Sequence, residues 1–171
     1  MDLHLQKLFL FQIMNQCQFM LKANGEVNAA LDRLDTQGVF YAIQTLLSAA
    51  ANISKALWGE GGRLAASRKV LRDRINIYDT SALKSVTMRN NFDHFDERLE
   101  RWWEQSRGHP YADFCISDKP DFAGIPQSDT FRLLDRSTMI LTFWGQEFPL
   151  RDLVAEAERI LPIVIKEALS D

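Results

Sequence analysis

The sequence predicts a mostly α fold, an up-and-down helical bundle of four to five helices with a small β-hairpin inserted before the last one. Three observations carry that expectation. Apolar residues recur at the three- and four-residue spacing of amphipathic helices through most of the first hundred positions and again at the C-terminal end. Between residues 111 and 149 that spacing gives way to short β-branched runs set among prolines. The chain has 171 residues, 46% apolar and 25% charged, enough to build one domain, 1–171, around a single core.

Residues 3–22 are dense in Leu, Phe, Ile and Met without Pro or Gly, so helix is expected. Leu3, Leu10, Ile13 and Cys17 mark one side of it, and Leu5, Phe9 and Met20 another. A helix apolar on two sides is covered on two sides, at the centre of a core or at a subunit interface. Asn24-Gly25 is expected to end it, with a polar connection over 24–35. Thr36 then caps a second helix, in which Val39, Ile43, Leu46, Leu47, Ala50, Ile53 and Leu57 keep the amphipathic spacing. Glycines at 59, 61 and 62 predict a loop after Trp58, followed by a shorter basic helix over 64–74. Asp79 to Ser81 offer caps for the longest helix, roughly 82–106.

Within 111–149, residues 130–134 and 139–144 read as two antiparallel strands around Asp135-Arg136-Ser137, outside the helical core. The last helix, about 150–169, carries Leu153, Val154, Ala157, Ile160, Leu161 and Val164, and Pro162 predicts a kink in it. Trp102-Trp103 reads as one core and one boundary aromatic.

The net charge of -3 argues against a protein that coats nucleic acid nonspecifically, while leaving room for a local basic patch. Cys17 and Cys115 make neither a disulfide framework nor a metal cluster, and read as buried free thiols in a reducing compartment. His4 and His109 lack ligand spacing, so no metal and no other cofactor is expected. The apolar run at Leu8–Phe11 is interrupted by Gln12, Asn15, Gln16 and Gln18, unlike a signal peptide. No stretch approaches the roughly 18 apolar residues of a membrane span, so a cytoplasmic protein without a membrane partner is expected.

The one unusual feature is Arg89-Asn90-Asn91-Phe92-Asp93-His94. On a straight helix Met88, Phe95, Leu99 and Trp102 fall within about 80° of Phe92 and form a core stripe. Arg89 lies at its margin, and Asn90, His94, Glu97 and Arg101 form a polar stripe on the far face. Arg89 and His94 are then about 140° apart. They converge on one atom only if a second helix or a second subunit supplies the opposing wall.

This Arg-Asn-x-x-x-His pattern on a long helix resembles the motif of HEPN-superfamily ribonucleases, the likeness extending over residues 1–106 and the final helix, with 111–149 as an insertion. The resemblance implies a homodimer with the motifs facing each other, a metal-independent endoribonuclease acting on RNA, and a toxin or defence role with an antitoxin protein as partner. Arg89 would hold phosphate, His94 would move protons and Asn90 would assist. Some members keep the fold without cutting RNA, so the alternative is a noncatalytic module that binds a nucleotide or a protein.

The residue types suit the chemistry. In metal-free RNA cleavage the ribose 2′-OH attacks the adjacent phosphorus, so one group takes a proton and another protonates the leaving 5′ oxygen. Histidine, with an ordinary pKa of about 6.5, is matched to that transfer near neutrality. Arginine is permanently charged and grips phosphate with two parallel hydrogen bonds. Glu97, three residues after His94, is placed to hold the imidazole tautomer. A weaker RNA-backbone candidate is Arg68, Lys69 and Arg72, in a stretch from Arg63 to Arg74 that holds one acid, Asp73.

Overall fold

The computed structural model describes residues 1–59, 62–118 and 124–170. Residues 60 and 61 of the expected glycine loop and 119–123 of the expected insertion lie outside the described residues. Helix α1 (Leu3–Asp32) packs along α2 (Thr36–Trp58), and the C-terminal α7 (Leu150–Leu169) lies against α1. The fold is mostly α, with a small sheet placed before the last helix, as the residue patterning predicts.

Local signals explain the starts of the two long N-terminal helices. The Asp2 carboxylate accepts the His4 and Leu5 amides and opens α1. For α2 the capping oxygen is that of Asp35, which accepts the Gly38 amide at 2.9 Å, and Thr36 is the first helical residue. Gly59 closes α2 at φ 61°, where an added Cβ would sit 2.8 Å from Leu64 Cβ. Both the left-handed backbone and the close approach favour glycine there.

Four expectations are corrected. Asn24-Gly25 does not end the first helix, which runs on to Asp32. A helical glycine costs about 1 kcal/mol. Burial of Ala23, Val27 and Ala30 on either side of Gly25 outweighs it. The basic segment is two short helices, α3 (Gly62–Ser67) and α4 (Lys69–Arg74).

The third correction concerns the motif. The expected helix over 82–106 is a 3₁₀ turn (Ala82–Lys84), then α5 (Met88–Asp93), a break at His94 (φ −107°, ψ 39°), then α6 (Phe95–Gln105). The run Asn90, Asn91, Phe92, Asp93, His94 is poor in strong helix formers. The break turns Phe95 toward the sheet, where its ring meets Phe131 and Phe143 at 5.3 and 6.3 Å between centroids. Leu99, expected in the core stripe, is exposed, and so is Trp103, while Trp102 is buried.

The fourth concerns the insertion, whose described residues hold four strands: β1 (Cys115–Ser117), β2 (Arg132–Asp135), β3 (Ile140–Phe143) and β4 (Gln146–Pro149). The expected antiparallel pair is present, with Leu133 opposite Thr142 and Leu134 opposite Leu141. Strand β1 adds parallel to β2 and β4 antiparallel to β3. The sheet is not outside the helical core: Phe131, Leu134, Leu141 and Phe143 are buried in the same cluster as Leu10, Ile43 and Ile160. Each strand is too short to be stable alone, and β2 and β3 are buried against the helices through Leu134, Leu141 and Phe143. Arg132 ties the two parts together. Its guanidinium pairs with Asp113 and lies over the rings of Phe114, Phe95 and Phe92, at 3.8, 4.6 and 5.6 Å.

Candidate functional site

Three of the sequence candidates lie on α5 and its C-terminal joint, and the break at His94 decides how they are presented. Arg89 is half-buried and its guanidinium pairs with Asp93 one turn on, at 2.7 Å. Asn90 is exposed. These two residues line a cleft of about 230 Å³ with Ser54 and Lys55 of α2 and Lys84, Ser85 and Thr87 of the segment that leads into α5. The Ser54 hydroxyl donates to the Lys84 carbonyl at 2.8 Å and fixes that segment against α2.

Three cations, two serine hydroxyls, a threonine hydroxyl and an amide thus surround one small volume. Lys84 reaches Asp79 at 3.1 Å, whereas among the described residues Lys55 has no acidic partner. The Asp79 carboxyl is held below the usual carboxylate range, first by the Trp58 indole N–H and then by Lys84. Such a cleft suits a phosphate, which offers three acceptor oxygens and a charge for Lys and Arg donors to meet.

His94 does not line this cleft. It caps the end of α5 at the turn into α6, exposed, with Nδ1 3.4 Å from Glu97 Oε1. Within one chain Arg89 and His94 therefore face separate carboxylates, Arg89 that of Asp93 and His94 that of Glu97. Asn91 is buried, and its amide donates to Gln146 Oε1 at 3.0 Å while its carbonyl accepts from Arg98 Nε at 3.3 Å. With Phe92, whose ring meets Phe143 at 6.0 Å, it joins α5 to the sheet.

The weaker candidates on α3 and α4 are engaged elsewhere. Arg68 donates to the Lys55 carbonyl and lies 5.1 Å over the Phe9 ring. Arg72 donates to the Leu57 and Ala65 carbonyls at 2.7 and 2.9 Å, with its side chain only 12% exposed. Both guanidiniums donate to carbonyls in the last turn of α2, where the helix dipole favours positive charge. Lys69 is exposed and pairs with Asp73 at 2.7 Å.

The thiols offer no nucleophile: burial pushes Cys17 up to about 12 and also raises Cys115, so neither is a thiolate near neutrality. Among the described residues no group of three or more His, Cys, Asp or Glu side chains is placed to hold a metal ion, and no helix is long and apolar enough to cross a membrane.

Lys55 and Lys84 were not legible as site residues. One precedes the end of α2 and the other follows a cap, and only the packing of the 82–87 segment against α2 joins them. No protein-family model, no curated protein and no solved structure matches the chain.

Proposed function

We propose that the protein is a metal-independent endoribonuclease of the HEPN type that works as a homodimer. The observation that carries this reading is the basic cleft holding Arg89 and Asn90 beside Lys55 and Lys84. It is of a size and charge for an RNA phosphate, and the motif histidine stands at the exposed joint immediately after it. In this reading Arg89 and the two lysines hold the phosphate, and Asn90 orients it. With two copies of His94 facing one another, one takes the 2′-OH proton as oxygen attacks phosphorus. The other protonates the 5′ oxygen as its bond to phosphorus breaks, leaving a 2′,3′-cyclic phosphate and a free 5′-OH. The apolar residues that α1 leaves exposed on one face, Leu5, Leu8, Phe11 and Phe19, support a second copy, because a lone helix face of this kind is ordinarily covered.

The test is RNA cleavage by purified protein in EDTA. Replacement of His94 by Ala is expected to spare RNA binding and reduce turnover about 10²–10⁴-fold, the range for one positioned acid–base group. Arg89→Ala is expected to weaken binding as well, since its charge meets phosphate in ground and transition states alike. Arg101→Ala on α6 should retain most activity. Equal cleavage by parent, His94→Ala and Arg89→Ala would remove the assignment. A toxin role adds that expression of the active chain slows growth and that His94→Ala does not, with an antitoxin protein as the partner that restrains it.

A further inference from the structure

A second site lies at the other end of α6. Trp103 is 61% exposed, and its indole stacks on the His109 ring at 3.8 Å and 7°. Beneath them Trp102 meets both edge-on, at 6.1 and 5.6 Å, and Tyr111 at 5.4 Å. These rings border an open cleft of about 860 Å³ closed on its α6 side by Leu99, Glu100 and Glu104.

The platform is held in place from below. The buried Asp129 carboxylate accepts the Trp102 indole N–H at 2.7 Å, and the Tyr111 hydroxyl donates to Asp113 at 3.0 Å. His109 sits at φ 51°, a left-handed conformation that is uncommon for a residue with a side chain, and its buried Nδ1 has no partner. The stack on Trp103 is therefore maintained against a local backbone cost.

Charge identifies what the cleft accepts. Glu100 and Glu104 stand one turn apart on the same face of α6, and among the described residues neither has a cationic partner. Like charges at this spacing repel by a few tenths of a kcal/mol, which a bound cation would relieve. Exposed aromatic faces attract the same sign of charge. An RNA phosphate would meet two carboxylates and is disfavoured. Small-molecule sites bury roughly 70–90% of their ligand. An open cleft around a projecting Trp is instead the arrangement of a protein-interface hot spot, where Trp, Tyr and Arg are enriched.

We infer that this cleft, lined by Leu99, Glu100, Trp103, Glu104, His109 and Tyr111, docks a partner polypeptide through an arginine side chain flanked by apolar residues. The guanidinium stacks on Trp103 and donates to Glu100 and Glu104, and the flanking residues cover Leu99 and Tyr111. Arginine fits better than lysine because its planar group stacks and hydrogen-bonds at once. The inference stands apart from the ribonuclease reading and uses none of its residues.

The test is selection of a random dodecapeptide library displayed on phage against the whole protein. Enriched peptides are then synthesised and titrated against the parent, Trp103→Ala and the double variant Glu100→Gln/Glu104→Gln. All three positions are exposed, so the variants are expected to keep the parent circular dichroism. The expected result is enrichment of arginine beside apolar residues, perturbation of the Trp103 indole N–H resonance on binding, and about tenfold or greater loss of affinity in each variant. No enrichment, enriched peptides without a basic residue, or equal binding by the variants would overturn it. Choline titrated in parallel covers the remaining source of such a cation: saturable choline binding at Trp103 without peptide binding would also overturn the polypeptide assignment.

Discussion

Replacement of Asp129 by Ala is expected to be among the most damaging polar substitutions in the chain. The Asp129 carboxylate is buried and accepts from the Trp102 indole at 2.7 Å, from the Ser106 hydroxyl, and from the Ser128 hydroxyl at 3.4 Å. It therefore fastens the C-terminal end of α6 to the segment that leads into β2. A hydrogen bond to a charged group contributes about 1.5–3 kcal/mol, and a buried donor left unpaired loses about 1–3 kcal/mol. The Trp102 N–H is buried and bears that loss in full, whereas Ser106 can turn its hydroxyl to water. Relief of the buried charge offsets part of the sum, leaving a destabilisation of about 3 kcal/mol. For a chain of this size that lowers Tm by roughly 6–12 °C. Asp129→Asn keeps an acceptor oxygen but not the charge, and should cost about half as much.

The pH dependence has a definite sign. The Asp129 carboxyl is held below the usual carboxylate range, chiefly by the Ser106 hydroxyl and then by the Trp102 and Ser128 hydrogen bonds. A carboxyl lowered by folding adds stability above its unfolded pKa, near 3.9, and loses it as pH falls through the folded value. The Tm gap between parent and Asp129→Asn is therefore expected to be constant from pH 7 to about 5 and to shrink below about 4. Melts followed by far-ultraviolet circular dichroism and by tryptophan fluorescence check this. A loss under about 2 °C for Asp129→Ala at pH 7 would refute the account. Separate transitions for the two probes would also do so, because the sheet would then melt apart from the helices.

Four further outcomes are expected. Light scattering at micromolar concentration should give a dimer mass, and Leu8→Glu or Phe11→Glu on the exposed face of α1 should lower it; a monomeric parent would remove the composite site. Asp93→Asn frees Arg89 from its 2.7 Å ion pair and should tighten binding of a single-stranded RNA oligonucleotide. Lys55→Ala or Lys84→Ala should weaken that binding and reduce the slope of log affinity against log salt by about 0.7 each, while unchanged slopes would place the phosphate elsewhere. Asn91→Ala should cost about 1–2 kcal/mol in chemical denaturation because it breaks the link to Gln146, whereas exposed Asn90→Ala should stay within about ±0.5 kcal/mol.

Periodicity alone determined the fold class, the course of α2 and α7, and the pairing of β2 with β3. Each rests on local information, since apolar residues at helical or alternating spacing must face one side whatever packs there. The motif was legible by residue type, because Arg89, Asn90 and His94 are unusual company on one short stretch. Its geometry was not. A straight helix over 82–106 is the reading that the apolar spacing supports, but packing of Phe95 against Phe131 and Phe143 accompanies a break at His94, and that break sets where the histidine stands. Long-range packing decided the rest. Gly25 stays helical because Ala23, Val27 and Ala30 are buried around it. Lys55 and Lys84, 29 positions apart by subtraction of their numbers, share a cleft because the 82–87 segment lies on α2. Trp103 and His109 stack because the Asp129 carboxylate holds Trp102 beneath them. Side-chain burial between residues distant in sequence is a property of the closed fold, and no spacing along the chain encodes it in advance.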